Sequence, residues 1–300
     1  MLPQYPEFKS IELEDREVIH NIFQEYRPET SELTFTNLFI WREHYKVQWS
    51  VHKDWLIAAC GTGGRNCFAL PPVGPPPRVE VARLVLEWLK DEKGISGPGI
   101  ERADQRLVDE IKDSGLFAVA PSRDHFDYLY LAENLIKLSG NRYHGKKNHL
   151  NKFRKTYNWS YEPLSKEKIK ACLEVSELWC KARRCSEDLD LTDEAIAVKS
   201  ILENSEALKV KGGLILIEGK VEAFALGEML SHETAVVHIE KANPEIPQLF
   251  VVINQQFVEH EWQNVKFVNR EQDLGDEGLR QAKLSYHPER MVEKFKITLK

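Results

Sequence analysis

From residue 14 to 26 apolar side chains recur at helical spacing, at Val18, Ile19, Ile22 and Phe23, behind the acidic Glu14 and Asp15 that favour a helix start. The pattern predicts a first helix there and a second apolar helix over 34–42. Three short β-like runs follow, over 45–51, 55–59 and 66–70. The proline run 71–77 cannot be helix or central strand, and it leads into an amphipathic helix over 79–90 with Val81, Leu84, Val85, Trp88 and Leu89 on its inner face. A strand near Ile100, a helix over 103–114 and two strands ending at 126–131 complete a first unit.

The second half repeats this order. Residues 165–183 and 192–208 predict helices, the latter with Thr192 as N-cap, and 213–217, 221–229 and 234–240 predict three consecutive strands joined first by the turn Glu218-Gly219-Lys220. Pro247 opens a helix to 262, and a strand over 265–268, a helix over 277–284 and a closing strand over 291–297 follow. Each half therefore reads helix, helix, three strands, helix, strand, helix, strand. That order is the pattern of the GNAT acyltransferase fold. The expected class is α+β: a tandem duplication of GNAT-like units over residues 1–140 and 141–300, each a mixed, mainly antiparallel sheet flanked by helices.

Composition narrows the partners. With 42% hydrophobic and 29% charged residues the 300-residue chain is globular, and a formal net charge of -6 argues against coating nucleic acid or anionic membrane with the whole surface, so such a partner must be met locally. No run of roughly 18 unbroken apolar residues appears, and the start carries no signal-like pattern, so no integral membrane contact and a cytoplasmic location are expected. The five cysteines lack a C-x-x-C pair, which points to reduced, packed thiols, with Cys180 and Cys185 at a polar helix end in C-K-A-R-R-C. Histidines show no metal-ligand spacing and no G-x-S-x-G elbow occurs, so neither a metal nor a serine nucleophile is expected.

The stretch from 268 to 288 carries the strongest chemical signal. It leaves an apolar strand and enters a helix through polar residues and glycines, where α/β proteins gather side chains and backbone N–H groups. Period two predicts that Asn269, Glu271 and Asp273 share one strand face, and helical spacing puts Arg280, Lys283 and Tyr286 together after it. A solvated strand end would account for one or two of these polar residues. A second signal is the segment that begins at Arg142 and ends at Lys155. It holds Lys146, Lys147 and Arg154 and has no carboxylate, which suits phosphate binding as well as a solvated basic helix. Asn37 stands out in an otherwise apolar aromatic stretch. The run Cys60-Gly61-Thr62-Gly63-Gly64-Arg65 lies between strands with no helix after it, so it reads as a hairpin and not as a phosphate loop.

Four motifs together carry a resemblance: F-x-N-L-F-I-W at 35–41, D-Y-L-Y at 127–130, G-x-x-x-x-G-K-K-N-x-L-N-K-F at 140–153, and N-R-E-Q-D-L-G-x-x-G-L-R-Q-A-K-x-S-Y-x-P at 269–288. Over nearly the whole chain they resemble the family named after the carboxyl-terminal catalytic domain of phosphatidylglycerol lysyltransferase, tandem GNAT folds related to Fem-type aminoacyltransferases. The resemblance implies transfer of an aminoacyl group from aminoacyl-tRNA to an amine or hydroxyl acceptor, a lipid head group or small molecule. In that scheme Asn269, Glu271, Asp273 and Lys283 are the catalytic candidates. Asn37, Arg280, Tyr286, Lys146, Lys147 and Arg154 are the substrate-binding ones, with the 142–155 segment meeting tRNA. Two rivals stand beside it: a GNAT N-acyltransferase using acyl-CoA, and a non-catalytic ligand-binding protein of the same fold. Against acyl-CoA in its usual pose, the turn at 241–247 contains no glycine and the matching turn of the first half is the proline run.

Overall fold

The computed structural model describes residues 2–61 and 67–300, so the second half of the Cys60–Arg65 hairpin expectation lies outside the described residues. Two compact units emerge. Unit 1 comprises Met1–Asp127, Gln272–Asp276 and Met291–Lys300, and unit 2 comprises Tyr128–Glu271 and Glu277–Arg290. Each is α+β, built on a mixed sheet with flanking helices.

In unit 1 the strands β1 (Lys9–Ser10), β2 (Gln48–His52), β3 (Trp55–Cys60), β4 (Phe68–Ala69), β5 (Ile100–Ala103) and β6 (Phe117–Pro121) form one sheet with the closing strand Phe295–Leu299, which sits between β5 and β6. Neighbours are antiparallel except β4 and β5, which run parallel. The amphipathic helix Val79–Asp91 covers it, burying Val81, Val85, Trp88 and Leu89 against Ile57, Ala59, Ile100 and Ile297. Burial of that stripe removes several large side chains from water, each contributing roughly 1.5–3 kcal/mol.

The sheet of unit 2 has the strand order β7-β12-β11-β10-β9-β8, with the short strand Arg290–Val292 at its edge beside β7, and with β7 at Asp127–Leu131, β8 at Trp159–Pro163, β9 at Lys211–Ile217, β10 at Lys220–Ser231, β11 at Thr234–Ala242 and β12 at Phe267–Asn269. The β8–β9–β10–β11 meander is antiparallel, β12 joins β11 in parallel, and β7 joins β12 antiparallel. Helix Leu249–Glu261 is buried along most of its length, including Asn254, Gln255 and Gln256. A helix enclosed on nearly all sides has no solvated stripe, which is why its sequence lacks clean amphipathic spacing.

Several expectations change. The single closing strand expected over 291–297 is two strands, Arg290–Val292 beside β7 in the sheet of unit 2 and Phe295–Leu299 in that of unit 1, and β7, expected to finish the first half, lies in the sheet of unit 2. The helix expected from Thr192 starts at Leu189, with Asp188 Oδ1 accepting from the Leu191 N–H, and Thr192 instead turns its hydroxyl back to the Cys185 and Asp188 carbonyls. Cys180 and Cys185 are joined by a disulfide and are not reduced thiols: Arg184 takes a left-handed conformation (φ 54°) after helix Ile169–Arg183, returning Cys185 to within 5.1 Å of Cys180 between Cα atoms. Cys60, Cys67 and Cys172 are free and buried. Among the described residues no helix is long and apolar enough to cross a membrane.

Candidate active site

The site grows from the end of β12. Asn269 is fully buried and its Oδ1 accepts the Glu271 backbone N–H at 2.8 Å, closing an Asx turn that stops the strand. Glu271 then adopts a left-handed backbone (φ 54°), a conformation that costs a non-glycine residue on the order of 1 kcal/mol or more. The turn abolishes the expected alternation. Asn269, Glu271 and Asp273 do not share a strand face, since the extended backbone ends at Asn269.

What the turn achieves is to aim Glu271 at His238 on β11. His238 Nδ1 lies 2.8 Å from Glu271 Oε1 and its Nε2 lies 3.0 Å from Glu228 Oε1 on β10. Carboxylates only accept, so a ring bonded to two of them donates from both nitrogens and is an imidazolium. Burial opposes that charge, but the hydrogen bonds to Glu228 and Glu271 and the two negative charges outweigh it and push the pKa up to about 9. Both ring nitrogens are thus committed, and among the described residues no group of His, Cys, Asp and Glu is arranged to hold a metal ion.

Beside this row Arg270 is largely but not fully buried and is ion-paired with Glu240, whose other oxygen accepts from Asn254 Nδ2 at 2.7 Å. Desolvation works against the guanidinium, and Glu240, Tyr130 and Tyr286 hold its pKa above the usual arginine value. Helix Glu277–Leu284 supplies Lys283, which is buried and donates from Nζ to the Arg270 carbonyl at 2.6 Å, while the Lys283 carbonyl accepts from the Tyr130 hydroxyl at 2.8 Å. Tyr286, one turn on, packs edge-to-face on Tyr130, with Arg270 4.8 Å from its ring centre and Lys146 4.1 Å from the same centre. Lys146 belongs to helix His144–Thr156. The entry to that helix is tied down by a Tyr143 hydroxyl bond to the Tyr286 carbonyl (3.0 Å) and a His287 Nε2 contact with the Arg142 carbonyl (3.1 Å).

Unit 2 therefore brings together Asn269, Glu271, Lys283, Tyr286 and Lys146, with Arg280 half-buried on the same helix as Lys283 and with Lys147 and Arg154 exposed on the basic helix. Asp273 and Asn37 belong to unit 1. Asp273 is fully buried, accepts from Arg123 Nη1 at 3.1 Å and from the Gly275 N–H at 2.9 Å, and so shapes the turn at Gly275 (φ 83°). The Asn37 side chain donates to the Ser31 carbonyl at 3.2 Å and its backbone N–H donates to the N-cap Thr34 Oγ1 at 3.0 Å, organising the start of helix Phe35–Ile40. Sequence reasoning passed over His238, Glu228, Glu240, Arg270 and Asn254. A signal existed for two of them: His238 and Glu240 stand two apart in the strand Thr234–Ala242, so period two puts both on one face.

An interleaved pair of α+β units with this meander and strand-to-helix crossover is the architecture of tandem GNAT proteins. A tandem GNAT protein from the clavulanic acid biosynthesis pathway superposes over 98% of both chains, with 8% identity and a TM-score of 0.52. The chain belongs to the family described as phosphatidylglycerol lysyltransferase, C-terminal, whose profile matches residues 23–298. A conserved protein of unknown function from Bacteroides thetaiotaomicron VPI-5482 is 33% identical over 100% of both chains, with a TM-score of 0.90. The structure of L-PGS from Bacillus licheniformis matches over 99% of this chain and 93% of its own, with 14% identity and a TM-score of 0.66. No curated protein matches. Family and fold point to an acyltransferase.

Proposed function

We propose that the protein is an aminoacyltransferase that moves an aminoacyl group from aminoacyl-tRNA to an amine or hydroxyl acceptor, a small molecule or lipid head group, with its site in the carboxyl-terminal GNAT-like unit. The observation that carries the reading is that one turn of unit 2 carries both the His238-held Glu271 carboxylate and Arg270, whose carbonyl accepts from Lys283 and whose guanidinium lies with Lys146 over Tyr286. Aminoacyl transfer needs a proton acceptor, an electrophilic anchor for the oxyanion and a seat for donor phosphates, and these groups supply one of each.

In this reading the acceptor nitrogen or oxygen attacks the ester carbonyl carbon and gives its proton to Glu271. Negative charge gathers on the carbonyl oxygen, where the Lys283 ammonium, three donors on a compact charge, offsets it. The tetrahedral species collapses, the bond to the ribose oxygen breaks, and Glu271 returns the proton to that leaving oxygen. His238 stays protonated and keeps the Glu271 side chain oriented between cycles. The cations Lys147 and Arg154, with Arg280 nearer the centre, add attraction for a polyanionic donor.

Incubating the purified chain with a panel of labelled aminoacyl-tRNAs and amine or hydroxyl acceptors tests the reading. Transfer is expected, and Glu271→Gln is expected to lower kcat by about a hundredfold or more. No transfer from any aminoacyl-tRNA, together with micromolar binding of acetyl-CoA by calorimetry, would overturn it in favour of an acyl-CoA donor.

A further inference from the structure

We infer that Lys146 and Arg270, which lie 4.1 and 4.8 Å from the centre of the Tyr286 ring, form a seat for a single nucleotide phosphate group in a half-buried part of unit 2. The inference rests on the aminoacyl-tRNA reading for the identity of the phosphate but not for the existence of the seat. Charge accounting leads to it. Arg270 is neutralised by Glu240, whereas Lys146 makes no ion pair among the described residues, so two cations share one carboxylate and a net positive charge is left within a few ångströms of one aromatic ring.

Desolvation already lowers the Lys146 pKa, and the nearby Arg270 lowers it further. A lysine held there without a counter-ion is destabilised relative to one in water, and a bound anion would reverse that cost. One buried polar atom agrees with an unmet anionic ligand: the donor Arg270 Nη1 has no hydrogen-bond partner among the described residues. An arginine with one nitrogen committed to a carboxylate and another uncommitted can still donate to a phosphate oxygen. The backbone adds to the same sign. Helix His144–Thr156 begins with no acidic residue in its first turn and no side-chain cap, so the positive end of its dipole, where Lys146 sits, is not neutralised by the chain. The Tyr130 and Tyr286 rings meet edge to face at 6.5 Å between centres, and Arg270 lies over both, so the half-buried pair of cations differs from the exposed Lys147 and Arg154 further along the helix.

The test uses the full chain and three probes: inorganic phosphate, AMP and glycerol 3-phosphate, with binding followed by calorimetry at low salt. AMP is expected to bind, and Lys146→Met to weaken that binding about tenfold, while Lys166→Met on an exposed helix elsewhere leaves it unchanged. Arg270→Lys keeps the charge beside Glu240 and is expected to weaken binding about as much, provided its circular dichroism is that of the parent. Equal binding by parent and Lys146→Met would overturn the seat. Tighter binding of glycerol 3-phosphate than of AMP would overturn the nucleotide assignment. Phosphate binding that depends on Lys146 in a protein inactive with every aminoacyl-tRNA would leave the seat standing and remove the proposed function instead.

Discussion

His238 hands one N–H to Glu271 at 2.8 Å while the opposite nitrogen is held by Glu228 at 3.0 Å, so a catalytic candidate is clamped by a buried cation. This arrangement links proton binding to stability. The folded pKa of His238, about 9, lies above the ordinary 6.5, so the folded state binds the proton more tightly than the unfolded chain. The associated stability is fully present below about pH 6.5 and is lost as pH rises through about 9, with a ceiling on the order of 3 kcal/mol. Urea titrations at pH 6 and pH 9.5 should show the parent losing stability at the higher pH. In His238→Gln this dependence should flatten, and an equally steep loss in that variant would place its source elsewhere.

Glu271 and Asp273 are two residues apart and have different surroundings, so their amides should behave differently. Glu271→Gln removes one of the two carboxylates on the His238 imidazolium, so it is expected to lose some stability near neutral pH and, in the folded fraction, to lose transfer. Asp273→Asn weakens the pairing with Arg123 and the turn bond to Gly275, and is expected to cost about 1–3 kcal/mol while the folded fraction keeps its turnover. Denaturation curves and activity normalised to folded protein separate the two. Loss of turnover in a well-folded Asp273→Asn protein would return that carboxylate to the chemistry.

Much of this fold could be read from the pattern of apolar positions. The helix at Val79–Asp91 and the β9–β10–β11 meander were legible because amphipathic stripes and short turns act locally. The placement of β7 and the closing strand was not, because strand partnership depends on which edge is open in three dimensions and nothing in Asp127–Leu131 or Phe295–Leu299 encodes it. The same limit governed the site. Glu271 was found in a polar motif, but its partner His238 is 33 residues away, joined only once β11 and β12 lie in parallel. The left-handed backbone at Glu271 defeated the period-two argument because that geometry comes from the Asn269 side chain and not from the strand itself.

Lys294 in unit 1 offers a test of buried charge. Its ammonium, with no solvent exposure, contacts both Glu32 oxygens at 2.8 and 2.6 Å and Asp127 Oδ1 at 2.6 Å, and Asp127 also accepts from the Ser31 N–H and hydroxyl. Burial raises the Glu32 pKa, but Lys294 and Arg102 more than offset this and hold it below the usual carboxylate value. Lys294→Met leaves two carboxylates with one fewer cation in a dry setting, and is expected to destabilise by about 3–5 kcal/mol. The contribution of Glu32 is present above its unfolded pKa and lost as pH falls through the lowered folded value, so acid should unfold the parent at a lower pH than Lys294→Met. Coincident acid transitions would mean the cluster does not control acid unfolding.

The cysteines give the cheapest check of the fold. Cys60 and Cys172 are buried thiols whose pKa burial pushes up to about 12, and burial raises Cys67 as well, so little thiolate is available near neutral pH. Cys180 and Cys185 are disulfide-bonded across the end of helix Ile169–Arg183, with Lys181, Arg183 and Arg184 between them in sequence. Iodoacetamide at pH 7.5 should therefore leave the folded protein unmodified over an hour. In urea without reductant, mass spectrometry should count three added groups, one for each of the free cysteines, and after reduction in urea it should count five. Five groups without reductant would show that Cys180 and Cys185 are unpaired, and rapid labelling of the folded protein would show that the cores around Cys60 and Cys172 open far more readily than their burial implies.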